Sequence, residues 1–212
     1  MTNLFLWLGG MLAGYLLGSL PFGFLLSKMR GIDIRSVGSC NIGATNVFRS
    51  VSKPLGILTF FLDFLKGLCG VMVIPALMVA LLGVAMPGKG FALVCGVAAV
   101  AGHNWSCFLG FKGGKGVATS AGLLMGLTPQ GVGLAFMVWL VMFLTTRYVS
   151  VASILASMTL GVVVWWPLRL EVHGFWFPFT LSSLAALVVW KHRANMVRLY
   201  QGCESRFTFR RG

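Results

Sequence analysis

Long apolar runs separated by short charged segments dominate this sequence. The runs cover residues 4–26, a stretch within 55–86, and residues 91–111, 129–145, 149–168 and 175–190. A helix needs about 20 apolar residues to cross the roughly 30 Å hydrocarbon core of a bilayer. The pattern therefore predicts an all-α fold, a polytopic transmembrane helical bundle.

The distribution of positive charge predicts the orientation. The first 27 residues contain no Lys or Arg, whereas segment 28–54 contains Lys28, Arg30, Arg35, Arg49 and Lys53. Because positively charged loops stay in the cytosol, we expect the N-terminus outside. The C-terminus is expected inside, because the tail carries Lys191, Arg193, Arg198, Arg206, Arg210 and Arg211. Termini on opposite sides of the membrane require an odd number of membrane-spanning helices, whereas the sequence has six apolar runs.

A separate short helix over residues 117–127 resolves this count and gives about seven helices. Eleven residues rise only about 16 Å, so this helix reaches across only if the glycine-rich segment 112–116 dips inward. Non-helical backbone at membrane depth is tolerated where it lines a polar cavity. Arg147 then lies inside and segment 169–174 outside. A five-span alternative keeps the same sidedness, and either arrangement makes residues 1–212 one domain.

Composition narrows the class of protein further. The chain is 58% hydrophobic and only 10% charged, whereas soluble domains carry about 25% charged residues. A formal charge of +13 suits anionic lipid or anionic substrates, and its placement between apolar runs argues against nucleic acid. Only four acidic residues are available to hold a metal ion, and the five cysteines show no CxxC or similar metal-ligand spacing. We therefore expect no metal site and no cofactor.

Segment 31–49 is the first candidate site, because it is dense in Gly, Ser, Asn and Thr and ends in Arg49. Free backbone N–H groups and hydroxyls can surround phosphate oxygens, and an Arg can bind them through two hydrogen bonds. The alternative is a solvated loop held by Asx and Ser turns. The predicted phosphate contacts here are Ser39, Asn41, Gly43, Thr45, Asn46 and Arg49.

Segment 110–116, GFKGGKG, is the second candidate site. It does not meet the P-loop pattern GxxxxGK[ST], since its glycine spacing is one residue short and Gly116 replaces Ser or Thr. An NTPase is therefore not indicated. A glycine-rich turn that presents Lys115 to a phosphate, with Gly113 and Gly114, remains the interpretation.

Three further groups of polar residues stand in or beside apolar runs. His192 and Asn195, three apart, are expected on one helix face, with Arg198 further round. His103-Asn104 lies deep in a run, where a hydrogen-bonded structural role is the alternative. Asp63 and Lys66 are expected to neutralise each other, either lining the cavity or lying at the interface if residues 54–66 form a flat helix.

Three blocks of this sequence resemble the bacterial acyl-phosphate:glycerol-3-phosphate acyltransferase family (PlsY). They are GSLPFG at 18–23 with GSCNIGATN at 38–46, GHNW at 102–105 with GFKGGKGVAT at 110–119, and HRAN at 192–195 with Arg198-Leu199 and Glu204. Together they cover about a third of the chain. Cys40 departs from the pattern, where the family usually has Gly.

The resemblance implies a seven-helix enzyme of the bacterial inner membrane that makes lysophosphatidate from acyl phosphate and the sn-1 hydroxyl of glycerol 3-phosphate. It implies catalytic and substrate-binding roles for Ser39, Arg49, Lys115, His192 and Asn195. Supporting roles are expected for His103, Asn104, Asp63, Lys66 and Glu204.

The implied chemistry suits these residue types. Acyl phosphate is an activated mixed anhydride, so no covalent acyl-enzyme is expected, and the HxxxxD pair of soluble-type acyltransferases is absent. Arg49 and Lys115 would neutralise phosphates, and Ser39 and Asn195 would orient them. His192 either hydrogen-bonds a phosphate or takes the hydroxyl proton, and a substrate phosphate oxygen is the alternative base.

Two other functions stay open at this point. A transporter for an organic phosphate or lipid anion also has broken helices and a cationic cavity, but it needs polar groups reachable from both faces. A structural scaffold for anionic lipid would tolerate loss of Ser39 and Asn195. The enzyme interpretation requires Arg49, Lys115 and His192 to converge in one cytosol-facing hollow, in a chain expected to be a monomer with membrane lipid around it.

Overall fold

The computed structural model describes residues 2–165 and 174–208, and these ranges contain helices and no strand. The chain divides into two compact units, Met1–Leu127 and Thr128–Gly212. The single-domain prediction stays a prediction. Two predicted regions lie partly outside the described residues: the end of run 149–168, and the outer segment 169–174 except for Gly174. Arg210 and Arg211 of the basic tail also lie outside them.

The first unit begins with a broken apolar span. Helix α1 (Thr2–Ser19) stops before Leu20 and Pro21, and α2 (Phe22–Lys28) continues the span. Proline has no N–H to donate and clashes with a helix that continues through it. The sequence predicted one uninterrupted run here. It also missed α3 (Ala44–Ser50), a short helix inside the predicted loop 28–54.

The rest of the first unit comprises α4 (Lys53–Leu82), α5 (Lys89–Asn104), a 3₁₀ turn (Cys107–Leu109) and α6 (Val117–Leu127). Helix α4 begins where the Ser52 hydroxyl accepts a hydrogen bond from the backbone N–H of Leu55, and it continues through Pro75 for 30 residues. Because α4 does not end at Lys66, the alternative of a separate flat helix over residues 54–66 is wrong.

Glycine allows α1 to pack directly on α5. A methyl group on Gly14 or Gly18 would collide with the backbone carbonyl of Cys95 or Ala99, and one on Gly10 would collide with the Phe91 ring. Small residues every fourth position let membrane helices approach until their backbones touch. The predicted packing role of this glycine stripe is confirmed.

The second unit comprises α7 (Pro129–Thr146), α8 (Val149–Val163), α9 (Trp176–Lys191) and α10 (Arg193–Tyr200). Arg147 adopts a left-handed conformation, φ 61°, and ends α7. The Trp139 indole donates to Ser153 Oγ at 3.3 Å, which connects α7 to α8. The Ser182 hydroxyl donates to the Gly161 carbonyl at 2.9 Å, which connects α9 to α8.

The helices confirm the predicted all-α, multi-pass membrane architecture. Spans long and apolar enough to cross a bilayer are Leu4–Lys28, Lys53–Leu82, Lys89–Leu109 and Pro129–Thr146. Shorter apolar helices are Val117–Leu127, Val149–Val163 and Trp176–Lys191, and the first of these has the predicted bounds. Whether five or seven helices cross fully, and which way the termini face, stay predictions.

Candidate active site

The buried amide of Asn46 organises the polar loop, which we define as residues 29–43. Asn46 lies in α3 and is 5% exposed. Its Oδ1 accepts from the Ser39 backbone N–H at 3.0 Å and from the Ser50 hydroxyl at 3.2 Å. Its Nδ2 donates to the carbonyls of Val37 at 3.0 Å and Asn41 at 2.9 Å. One side chain thus replaces regular secondary structure as the scaffold of the loop.

Asn41 and Gly43 also serve the geometry of the polar loop. The Asn41 Oδ1 accepts from the Gly43 N–H at 2.9 Å, an Asx turn that leads into α3. By contrast, Ser39 and Arg49 are exposed. The loop interpretation therefore describes Asn41 and Asn46, whose amides shape the polar loop. The phosphate contacts of Ser39 and Arg49 stay a prediction.

The polar loop carries backbone strain at its tip. Ser39 stands between Gly38, φ 59°, and Cys40, φ 54°. The left-handed region suits glycine but costs other residues free energy, because their Cβ crowds the backbone. Cys40 therefore adopts a conformation that the Gly usual in the resembled family would adopt without strain.

An ion pair near the start of the polar loop was not predicted. Arg35 donates to Asp33 through its side chain at 2.7 and 2.9 Å, and its guanidinium lies 4.7 Å from the Phe24 ring centroid. The hydrogen bonds from the Arg35 side chain and backbone lower the pKa of Asp33 to about 2. Asp33 therefore stays ionised at physiological pH.

The glycine loop, defined as residues 112–116, packs on the end of α5. The Gly114 N–H donates to the His103 carbonyl at 2.9 Å. Methyl groups on Gly113 or Gly114 would collide with the His103 carbonyl or ring, and one on Gly116 would crowd the fully buried Asn104 amide. These glycines are required by close packing, and Lys115 is the only residue of the run 113–116 with a side chain.

Asp63, Lys66 and His103 form a buried polar centre beneath that loop. Asp63 Oδ1 lies 3.0 Å from Lys66 Nζ and 3.4 Å from His103 Nδ1. Lys66 Nζ also donates to the Leu20 carbonyl at 2.9 Å, at the break between α1 and α2. The predicted Asp63–Lys66 pair is confirmed, and the third member, His103, comes from a different helix.

In the second unit, His192 lies at the junction of α9 and α10. The sequence placed it with Asn195 on one helix face, whereas the structure makes it the residue between two helices, φ −90° and ψ 5°. His192 is 3% exposed, and its Nδ1 lies 2.8 Å from the Val188 carbonyl. A carbonyl only accepts hydrogen bonds, so in the neutral ring Nδ1 carries the proton and Nε2 carries the lone pair.

Glu204 organises the neighbouring polar side chains of the second unit. Its Oε1 accepts from Asn195 Nδ2 at 2.6 Å and from the Ser150 hydroxyl at 2.8 Å, and its Oε2 accepts from Arg198 Nε at 2.8 Å. Burial alone would raise the pKa of the Glu204 carboxyl, but the three hydrogen bonds outweigh that effect and lower the pKa below its ordinary 4.5. Glu204 is therefore a carboxylate at neutral pH.

The described ranges offer cations and hydrogen-bond donors but no metal site, since no three His, Cys, Asp and Glu residues in those ranges could hold an ion together. A family model described as "Glycerol-3-phosphate acyltransferase" matches residues 8–202. The chain belongs to the glycerol-3-phosphate acyltransferase family. This acyltransferase is a multi-pass membrane enzyme, and family membership favours acyl transfer over the transporter alternative.

Curated relatives of the acyltransferase match along almost their whole length. A glycerol-3-phosphate acyltransferase of Aquifex aeolicus is 43% identical, covering 91% of this chain and 95% of the relative. One of Trichlorobacter lovleyi is 41% identical, covering 98% and 99%. Both comparisons therefore concern a complete relative and not a shared fragment.

Two solved structures share the acyltransferase fold. The glycerol 3-phosphate form of PlsY, an integral membrane glycerol 3-phosphate acyltransferase, has a TM-score of 0.82 and 38% identity, covering 95% of this chain and 96% of that chain. The lysophosphatidic acid form has a TM-score of 0.77 at 38% identity, covering 98% and 96%. The identity and coverage support a shared all-helical fold with both solved structures.

Sequence reasoning missed how the acyltransferase holds its polar residues. It named Glu204 only as supporting, although this carboxylate contacts Asn195, Arg198 and Ser150. It grouped Asn46 with phosphate contacts, although the amide is used by the polar loop. Of these contacts, only the Asp63–Lys66 pair was predicted from its i,i+3 spacing, because the spacings of the other partners follow no helical or strand period.

Proposed function

We propose that this acyltransferase moves an acyl chain from acyl phosphate to the sn-1 hydroxyl of glycerol 3-phosphate, giving lysophosphatidate and inorganic phosphate. The observation that carries the proposal is the close packing of the glycine loop that holds Lys115. The surrounding glycines pack on buried His103 and Asn104, so the loop is a firm support for the one lysine among them, which is half-buried. Such a pre-organised cation suits a phosphate-bearing substrate.

The transfer needs positioning more than covalent catalysis. The glycerol hydroxyl oxygen attacks the acyl carbon, the bond from that carbon to the phosphate oxygen breaks, and phosphate leaves with the electron pair. No acyl-enzyme forms, because the mixed anhydride is already activated. The enzyme must hold two anions together and stabilise the departing charge, which oriented cations and N–H donors achieve.

The first unit supplies the phosphate contacts in this proposal. Arg49 and Lys115 neutralise phosphate charge, and Ser39 donates its hydroxyl. Thr45 and the backbone of Gly113 and Gly114 are assigned supporting contacts. Asn41, Gly43 and Asn46 are assigned to shaping the polar loop, because they hydrogen-bond to one another and to Ser39.

The second unit supplies the groups assigned to the hydroxyl and to phosphate orientation. With Nδ1 directed at the Val188 carbonyl, the Nε2 of His192 can accept the hydroxyl proton or hydrogen-bond a phosphate. A substrate phosphate oxygen remains the alternative base. Glu204 holds Asn195, which orients phosphate, and Arg198, which adds positive charge.

The cellular setting of the proposal is the bacterial inner membrane, with the active groups facing the cytosol and the enzyme a monomer that needs no cofactor. Exposed Cys40 and Cys203 allow a test of orientation. A membrane-impermeant maleimide should label both in inside-out vesicles and neither in right-side-out vesicles. Labelling in the opposite sense would invert the proposed topology.

The central experiment measures phosphate release by detergent-purified enzyme given acyl phosphate and glycerol 3-phosphate. Lys115→Ala and Arg49→Ala should each lower the rate at least about a hundredfold, the usual cost of removing one charge-stabilising donor. Lys89→Ala is the matched control, because Lys89 begins α5 at the opposite end from His103. Equal rates in all variants would defeat the site assignment.

The donor and the position of transfer need separate measurements. An acyl thioester in place of acyl phosphate should give no product, and mass analysis of the product should place the acyl chain on the sn-1 oxygen. Enzyme incubated with acyl phosphate alone should show no added acyl mass. An acylated protein would overturn the direct-transfer mechanism.

A further inference from the structure

We propose that Asp63, Lys66 and His103 together are a positioning centre that holds the glycine loop, and through it the Lys115 ammonium, in the orientation that binds phosphate. The inference rests on the proposed role of Lys115 in substrate binding. All the residues concerned belong to the unit Met1–Leu127.

The centre joins three parts of that unit. Asp63 and Lys66 are on α4, His103 is on α5, and the Leu20 carbonyl lies at the α1–α2 break. The Lys66 and Asp63 side chains are only 1% and 5% exposed. Water therefore does not compete for these contacts, and the direction of each polar group is set by its protein partners.

His103 transmits this arrangement to the glycine loop. On one side its Nδ1 faces Asp63 Oδ1 at 3.4 Å. On the other side its carbonyl accepts the Gly114 N–H at 2.9 Å, and its ring lies directly against Gly114. A turned or shifted His103 must therefore move Gly114, and Lys115 is the next residue.

Energetics favours a directional role over a stabilising one. Buried ion pairs are often no more stabilising than apolar residues of the same volume, because desolvation offsets their attraction. Charges within membrane helices are also expensive and are associated with function. What an apolar cluster could not supply is a carboxylate oxygen that faces His103 Nδ1 at 3.4 Å.

The test compares two neutral double variants of similar bulk. Asp63→Asn with Lys66→Met keeps an amide oxygen opposite His103 Nδ1, whereas Asp63→Leu with Lys66→Met removes it. We expect the first to bind glycerol 3-phosphate within about threefold of wild type and the second about tenfold more weakly, since one lost directional contact is worth about a factor of ten. Calorimetry in detergent gives Kd, and initial rates give KM and kcat separately.

Ser106→Ala is the matched control for a merely structural effect. Ser106 is buried just beyond α5, and its hydroxyl donates to the Ser19 carbonyl at 2.6 Å, so it also ties α5 to α1. The control should lower the unfolding midpoint while leaving Kd and KM for glycerol 3-phosphate within twofold of wild type. Weakening equal to that of the leucine double variant would overturn the positioning role.

A double-mutant cycle with Lys115→Ala tests whether the positioning centre affects substrate binding through Lys115. If the centre acts through Lys115, the leucine double variant has less than a twofold effect on Kd once Lys115 is removed. The same tenfold effect in both backgrounds would overturn the inference. If the leucine double variant does not fold, His103→Leu replaces it with the same expectation, because it removes the imidazole with its Nδ1 contact and keeps both the Asp63–Lys66 pair and the backbone carbonyl that accepts from Gly114.

The outcomes separate this inference from the proposed function. A wild-type enzyme that neither binds glycerol 3-phosphate nor releases phosphate from acyl phosphate refutes the proposed function. An active wild type whose asparagine and leucine double variants bind equally well refutes only the positioning centre.

Discussion

The two units each organise their polar residues around a buried carboxylate, but with different partners. Asp63 contacts Lys66 and His103 between membrane helices. Glu204 follows α10 and collects donors from Asn195, Arg198 and Ser150. One carboxylate is paired with a buried ammonium, and the other is bound largely by neutral donors and a half-buried guanidinium.

The difference shows how the surroundings decide what a carboxylate contributes. Removing one partner of Asp63 leaves a charge in a region that water does not reach, so the pair behaves as one unit. Glu204 lies outside the spanning helices, where protonation can relieve a lost partner. We therefore expect the Asp63 centre to be sensitive to substitution and the Glu204 centre to be sensitive to pH.

Lys66→Ala should have the largest effect on stability. It leaves Asp63 without its ammonium partner, and breaking a buried ion pair costs about 3–5 kcal/mol. Asp63→Asn with Lys66→Met should cost less than the single change, because it leaves no uncompensated charge. Thermal unfolding in detergent measures both, and a double variant less stable than Lys66→Ala would contradict the idea of a paired unit.

Glu204→Gln should lower the unfolding free energy at neutral pH by about 2 kcal/mol, since hydrogen bonds to charged groups contribute about 1.5–3 kcal/mol. The glutamine amide also places a donor where Glu204 accepted one. Lys89→Ala is again the control, because Lys89 belongs to the unit Met1–Leu127 and begins α5 at the opposite end from His103.

The pH dependence of Glu204 has a defined sign. Its pKa is lower folded than unfolded, so its stabilising contribution is complete above the ordinary value of 4.5 and is lost as pH falls through the folded pKa. The difference in unfolding midpoint between wild type and Glu204→Gln should shrink as pH falls below that value. A constant difference from pH 7 to pH 3 would contradict the assignment.

Asn46→Ala tests a third scaffold that uses no charge. It would leave the Ser39 N–H and the Val37 and Asn41 carbonyls without their buried partner, at about 1–3 kcal/mol for the unsatisfied groups. The polar loop should become protease-sensitive while the spanning helices stay intact. Limited proteolysis with mass analysis measures this, and cleavage outside residues 29–50 would argue against a local role.

Cys40→Gly should have the smallest effect and the opposite sign. A left-handed residue with a Cβ costs about 1–2 kcal/mol, and the greater unfolded-state freedom of glycine returns about 0.5–1 kcal/mol of that. A net stabilisation of about 0.5 kcal/mol follows. Cys40→Ala, which retains a Cβ, should leave the unfolding midpoint unchanged and shows whether loss of the thiol matters.

Much of the fold could be predicted because the bilayer imposes a simple length requirement. Apolar runs located the helices, and the Gly10, Gly14 and Gly18 spacing located a contact surface. The breaks were less predictable, as at Leu20-Pro21 and at His192, because a run can remain apolar across a change of helix direction. Helix α3 lay hidden in a polar segment whose composition is typical of a loop.

The candidate site also has residues that the sequence identified and residues whose role only the structure showed. Local motifs identified Ser39, Arg49, Lys115 and His192 as candidates for chemistry. The roles of Asn46 and Glu204 depend on partners set by folding, and the hydrogen bond from Ser150 to Glu204 joins residues 54 positions apart. A single sequence contains no local signal for such a contact.

By itself, the sequence determined the membrane class, the approximate helices and the residue types available for binding phosphate, because hydropathy and side-chain chemistry are local properties. The tertiary structure alone decided that His103 links Asp63 to the glycine loop, that Asn46 shapes the polar loop and that Glu204 holds Asn195 and Arg198. Hydrogen bonds need defined distances and directions, and only the folded chain brings distant donors and acceptors to them.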